Sequence, residues 1–229
     1  MRDVELLIFD WDGTLCDSVP RIVAAMQSAA LDCGIAPADA DAVRAIIGMS
    51  LDEAIRLVHP DLHQDSLAPF IRAYGARYLE ADAVQPSPLF PGVADALAAY
   101  AAAGYRMAVA TGKSRRGLDR VLAQRGWTRF FDVTRCADES AGKPDPRMLH
   151  EILSYCDVPA SRAVMVGDSL FDLEMAHRAG VRSIAVTYGA QPAERLQSAR
   201  PTHVIDQFAA LTDWLMCPQQ SGGVNEHVG

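Results

Sequence analysis

Lysine is nearly missing from this chain: among 229 residues it occurs only as Lys113 and Lys143, and arginine supplies the rest of the 21 basic side chains. A positive excess is missing too, since 29 acidic residues leave a formal net charge of −8, which disfavours a nucleic-acid partner. An acidic protein that handles anions must gather its few cations locally, so the surroundings of the two lysines are informative. No C-x-x-C pair occurs among the five cysteines, Cys16, Cys33, Cys136, Cys156 and Cys217, and their number is odd. Both facts argue against a zinc site or a disulfide framework and for reduced thiols in a cytoplasmic setting. The N-terminal apolar run has no basic stretch before it and is cut at Asp10, so neither a signal peptide nor a membrane span is expected. What remains is an ordinary globular composition, 50% hydrophobic and 22% charged, with enough chain for a core domain and a smaller appendage.

The most informative stretch is Leu6-Leu7-Ile8-Phe9-Asp10-Trp11-Asp12-Gly13-Thr14-Leu15. An apolar run entering two aspartates and a glycine reads as a buried strand whose end carries acids. Strand side chains alternate with period two, so Asp10 and Asp12 project to one side if the extended geometry persists through Trp11. Two carboxylates in one small space need a cation or a proton between them, which implies metal or acid/base chemistry.

After this strand, Asp17 or Ser18 can cap a helix with Pro20 in its first turn and Gly34 at its end. Residues 39–47, 50–58 and 64–82 read as three more helices, broken at Gly48-Met49-Ser50 and His59-Pro60. The proline-rich segment Gln85 to Gly92 returns the chain to a different pattern, in which helices alternate with strands at 105–110, 131–135, 163–167, 182–187 and 202–205. Such alternation predicts an α/β fold: a doubly wound, mostly parallel sheet with helices on both faces. The expected organisation is a core of residues 1–15 and 89–216, an inserted all-helical unit over 16–88, and a disordered tail over 217–229.

Ligands of open parallel sheets bind beyond the carboxyl ends of the strands. The first strand ends in Asp10 and Asp12, the second in Thr111-Gly112-Lys113, and the fourth in Gly167-Asp168-Ser169 with Asp172 close behind. Gly142-Lys143-Pro144 precedes a helix that Asp145 and Pro146 can start, so Lys143 projects from a defined loop. Together these groups can hold Mg²⁺ on carboxylates and a phosphate on Thr111, backbone N–H groups and Lys143. They also offer the nucleophile and proton donor that phosphoryl transfer needs.

Asp10-x-Asp12-Gly13-Thr14-Leu15, Thr111, Lys143-Pro144 and Gly167-Asp168-Ser169-x-x-Asp172 resemble the four motifs of the haloacid dehalogenase (HAD) superfamily. The position of the helical insert resembles that of its phosphoglycolate phosphatase-like members, with a Rossmann-like core and a helical cap. The resemblance implies an Mg²⁺-dependent phosphatase acting on a small phosphorylated metabolite, with 2-phosphoglycolate the leading substrate. It implies Asp10 as nucleophile, Asp12 as proton donor and then base, and Thr111, Gly112 and Lys143 as phosphate-binding groups. Asp10, Asp168 and the backbone carbonyl of Asp12 are the implied metal ligands, with Asp172 and Ser169 supporting them. Gly48, Met49 and Ser50 are implied to face the site as a specificity loop. Asp12 argues against the dehalogenase members, which lack that acid, and the absence of lysine from residues 16–88 argues against the phosphonate-cleaving ones. A sugar-phosphate phosphatase, nucleotidase or mutase stays open within the superfamily, and a non-catalytic phosphate-binding protein outside it. A monomer or homodimer is expected. Arg21, Arg44 and Arg56 could bind a second anionic group of the substrate, such as a carboxylate, but are read mainly as solvated helix faces; Lys113 is read as facing solvent ahead of contacting phosphate, and His59, His63, His150 and His177 as lying away from the chemistry.

Overall fold

The computed structural model describes residues 3–216; the tail expected over 217–229 lies outside the described residues. Six strands form one sheet: β1 (Leu6–Phe9), β2 (Arg106–Thr111), β3 (Val133–Cys136), β4 (Ala163–Gly167), β5 (Arg182–Val186) and β6 (His203–Ile205). Their order is β3-β2-β1-β4-β5-β6 and every pairing is parallel, so the expected mostly parallel sheet is wholly parallel here.

The uninterrupted apolar character of β1 follows from its central place. Its residues alternate between faces: Leu6 and Ile8 join one apolar cluster, Leu7 and Phe9 the other, and all four are fully buried. On the Leu6 side lie α7 (Arg147–Cys156) and α8 (Leu170–Arg178), contributing Leu149, Ile152 and Met175. On the Leu7 side lie α5 (Val93–Ala102), α6 (Arg115–Arg125) and α10 (Ala209–Met216), contributing Leu97, Leu118 and Leu211. A short α9 (Ala193–Ser198) packs against β5 through Leu196. Helices on both faces make the sheet doubly wound.

Between β1 and α5 the chain forms α1 (Val19–Asp32), α2 (Ala40–Ala45), α3 (Leu51–Val58) and α4 (Gln64–Val84). These helices bury Val23, Met26, Ile55 and Phe70 against one another in a cluster of their own. Ser18 stands at the N-cap of α1 as expected, yet its hydroxyl makes no cap bond, because it is used elsewhere. Among the described residues no helix is long and apolar enough to cross a membrane.

Candidate active site

β1, β2 and β4 lie side by side at the point where the strand order reverses, so their carboxyl ends converge on one crevice. Asp10 leaves β1 with its N–H donating to the Val166 carbonyl at 2.9 Å, and its side chain is 1% exposed as a residue. Lys143 enters from the loop before α7, where Asp145 accepts the Arg147 N–H at 2.9 Å and the Lys143–Pro144 peptide is cis. The lysine is fully enclosed: its Nζ donates to Asp10 Oδ1 at 2.5 Å and to Asp172 Oδ1 at 2.6 Å.

Asp172 has no oxygen to spare. Its Oδ2 accepts the Ser169 hydroxyl at 2.6 Å and the Ser169 N–H at 3.2 Å, closing a capping box at the start of α8. Asp168 is held by the Ala190 N–H at 2.6 Å on Oδ2 and by the Thr14 hydroxyl at 3.3 Å on Oδ1. One carboxylate oxygen each from Asp10, Asp168 and Asp172 lie within 4.8 Å of one another, all three residues buried. Burial pushes the Asp10 carboxyl up to about 7 against the pull of Lys143, and burial with the charges of Asp10 and Asp172 drives Asp168 well above the usual carboxylate range. Burial opposes charge on Lys143 as well, but Asp10 and Asp172 outweigh it and hold the ammonium above its ordinary value.

The donor set fits a hard divalent cation. Asp10 Oδ2 is buried with no hydrogen-bond partner, an acceptor with nothing to accept from. Glycines keep the space beside Asp168 clear: a Cβ on Gly13, where φ is +85°, would fall 2.0 Å from Asp168 Oδ2, and one on Gly189 would fall 2.3 Å from the same atom.

Asp12 faces the same cavity but not the same partners. Lys113 Nζ donates to its two oxygens at 2.8 and 3.0 Å, and the Ser18 hydroxyl donates at 2.5 Å. Its carboxylate thus stands apart from the Asp10, Asp168 and Asp172 cluster. Lys113 is not solvent-facing: its side chain is 10% exposed, with Tyr78 of α4 beneath it at 5.0 Å from the ring centre. The reason is the insert, which lays an aromatic ring over a position that the core alone would leave open.

Arg21 is likewise no solvated face. It pairs with the buried Asp82 at 2.5 Å, and Arg120 of α6 pairs with the other Asp82 oxygen at 2.6 Å, tying α1, α4 and the core together. Arg44 is spent on Asp41 at 2.6 Å, and Arg56 is exposed. None of these three lines the central cavity. His59 is a core residue of the insert, its ring 5.2 Å from that of Phe70, and burial lowers its pKa.

Thr111, fully buried, and Gly112 end β2 on the cavity wall. The Gly48-Met49-Ser50 loop sits directly on them: a Cβ on Gly112 would lie 2.4 Å from the Met49 carbonyl oxygen and 2.8 Å from that of Gly48. Gly48, at φ +104°, is equally confined, its would-be Cβ 2.8 Å from Ser169 Oγ. Ser50 turns away to Glu53 at 2.5 Å. Gln191 adds a second tie, accepting the Leu170 N–H and donating to the Ala45 carbonyl at 3.0 and 3.2 Å. The half-open cavity between core and insert has a volume of about 830 Å³.

Sequence reasoning placed Lys113 toward solvent and offered Ser18 as a helix cap, and it passed over Tyr78 and the loop after β5. The scarcity of lysine pointed at Lys113, but Gly189, Ala190 and Gln191 carry no titratable group that would single them out.

With this geometry in place, comparison with known proteins is direct. Residues 7–186 match the model of the haloacid dehalogenase-like hydrolase family. The chain is 35% identical over 209 residues to probable phosphatase IndB of Dickeya dadantii, covering 90% of this chain and 91% of that one. It is 34% identical over 221 residues to a phosphoglycolate phosphatase of Vibrio cholerae, covering 93% and 97%. A crystal structure of a predicted phosphoglycolate phosphatase from Haemophilus somnus superposes with a TM-score of 0.84 at 27% identity, over 94% of this chain and 99% of that one. The chain belongs to the haloacid dehalogenase-like hydrolase family, as a phosphoric monoester hydrolase.

Proposed function

We propose that the chain hydrolyses a phosphomonoester of a small metabolite in two steps through a phosphoryl group carried on Asp10. The observation that carries this reading is Asp10 itself. One oxygen is fixed by Lys143, while the other is buried and unpartnered on a residue that opens onto the cavity, beside Asp12. In the first step a carboxylate oxygen of Asp10 attacks phosphorus, the bond from phosphorus to the ester oxygen breaks, and Asp12 gives that oxygen its proton. In the second, Asp12 takes a proton from water, the water oxygen attacks phosphorus, and the bond to Asp10 breaks to release inorganic phosphate. Ester and water become alcohol and phosphate, and both aspartates return to their starting state.

Thr111, the backbone around Gly112, and Lys143 are the groups proposed to bind the phosphoryl oxygens. Mg²⁺ would be held by Asp10, Asp168 and the carbonyl of Asp12, and when bound it neutralises charge on those oxygens. Asp172 acts on this reading by orienting Lys143, since both of its oxygens are engaged. Lys113 and Ser18 fix the direction of the Asp12 carboxyl. The Gly48-Met49-Ser50 loop covers Gly112 and keeps bulk water from the phosphoryl group.

2-Phosphoglycolate, named in several relatives, is the reference substrate, and magnesium the reference metal. The proposed setting is the cytoplasm, in keeping with four unbridged cysteines, Cys16, Cys33, Cys136 and Cys156, and the proposed state a monomer or homodimer. A panel of phosphate esters with Mg²⁺, run beside Asp10→Asn, tests the reading. Release of phosphate by the wild type, lost in the variant, is the expected result, and turnover that survives the substitution would sink the mechanism. A mutase would return the phosphoryl group to a second hydroxyl, so free phosphate in proportion to alcohol separates the two. A purely phosphate-binding protein would release neither.

A further inference from the structure

We infer that the alcohol released by this enzyme carries a bulky, ring-bearing apolar body, and that Gly75 of α4 makes the room for it. The inference rests on the phosphomonoesterase reading of the same site and concerns what lies on the far side of the ester oxygen. Asp10, Asp12 and Thr111 line one end of the cavity of about 830 Å³. Glycolate would fill a small part of that space, which lies in the range of sites that take drug-sized ligands.

The rest of the wall has the wrong chemistry for a short carboxylate. Met26 of α1, Ile47 and Met49 of the loop between α2 and α3, and Ile71 and Tyr74 of α4 converge on the cavity. Of the cations on the lining, Lys113 is already held by Asp12 and Arg120 by Asp82, while Arg72 and Arg116 are exposed. A second anionic group beside the phosphate would find its partners only at the exposed Arg72 and Arg116. An apolar ring there would exchange water for side chains at every contact.

Gly75 is the independent observation. It sits well inside the 21-residue α4, where glycine costs about 1 kcal/mol relative to alanine. Gly48 and Gly112 on the same wall are forced by contact, but a Cβ on Gly75 would meet nothing within 4 Å, and its φ is not positive. Neither packing nor backbone geometry requires it. Gly75 lines the cavity one helical turn from Tyr78 and Leu79, so what its bare backbone provides is unfilled volume in the wall.

The test compares ethyl phosphate with 2-phenylethyl phosphate, which differ in the ring while keeping an alkyl leaving oxygen. With Mg²⁺ the phenylethyl ester is expected to show a kcat/KM higher by about tenfold or more, since one well-packed apolar increment is worth about 10- to 200-fold. In Gly75→Phe, whose ring occupies the cavity, that ratio falls toward one; in Gly75→Ala it falls by less. A ratio near one in the wild type, 2-phosphoglycolate turned over better than the phenylethyl ester, or a ratio unchanged in Gly75→Phe would overturn the inference. Calorimetric binding of ethylphosphonate and 2-phenylethylphosphonate reads the same preference without turnover. A preference for the phenyl compound with no hydrolysis of any ester would count against the phosphatase reading alone, and absence of the preference against the cavity inference alone.

Discussion

The chain's only two lysines stand on opposite sides of one site and do different work. Lys143 lies wholly within the core, its ammonium sealed between Asp10 and Asp172 with no exposed side-chain surface. Lys113 lies at the seam, 10% exposed, bridging Asp12 of the core to Tyr78 of the insert. Both ion pairs join core residues; what differs is that Tyr78 of the insert covers the second and, among the described residues, no insert residue bonds the first. On the proposed reading, Lys143 serves the phosphoryl group and Lys113 directs the acid that protonates the leaving group.

Removing the core lysine should have the larger effect. Lys143→Met leaves Asp10 and Asp172 buried without their counter-charge, a change that costs about 3–5 kcal/mol in comparable pairs, so denaturant unfolding should shift by that order and turnover should vanish. Lys113→Met should lower kcat by roughly 10- to 100-fold through a misdirected Asp12, with a stability loss smaller than that of Lys143→Met because this pair keeps 10–12% of its side-chain surface exposed. Equal losses of stability in the two variants would erase the distinction between them.

Gly112→Ala probes the seam from the other direction. The added methyl would fall 2.4 Å from the Met49 carbonyl, so the loop must back away. We expect a several-fold rise in KM and a drop in kcat, of order 1–2 kcal/mol in kcat/KM, with thermal stability of the core little changed. Kinetics indistinguishable from wild type would mean that the loop does not bear on the reaction.

A pH dependence is expected as well in the metal-free protein. Asp10, raised by burial from 3.8 to about 7, holds its proton more tightly folded than unfolded. Its contribution to stability is full below about pH 4 and is lost as pH rises through 7, and Asp168 acts in the same direction. Chelator-treated protein should therefore lose thermal stability across that window, Asp10→Asn should flatten the fall, and added Mg²⁺ should raise Tm more at pH 8 than at pH 5, where protons compete for the same oxygens.

The two sides of the site also differ in how far the sequence discloses them. Asp10, Thr111, Lys143 and Asp168 could be placed from the chain alone, since each follows a strand or opens a helix and parallel sheets direct such residues to one edge. The element boundaries mostly fell within a residue or two, with α4 running two residues past its expected end to Val84. Lys113 was misplaced because its direction depends on Tyr78, a residue distant in sequence whose approach is set by packing within the insert. Ser18 was assigned to a helix cap for the same reason: the local pattern is right, but Asp12 is the stronger acceptor within reach. The second support of Asp168, at Gly189 and Ala190, acts through a backbone N–H and a missing side chain, neither of which leaves a pattern in one sequence.

The central claim is that Asp10 carries the phosphoryl group, and acid-quenching the enzyme during turnover on a phosphate ester, followed by mass spectrometry of its peptides, tests it most directly. The account predicts a phosphoryl adduct on Asp10, raised in Asp12→Asn because the base for its hydrolysis is gone, and absent from Asp10→Asn. An adduct on another residue, or full turnover by Asp10→Asn, would contradict it.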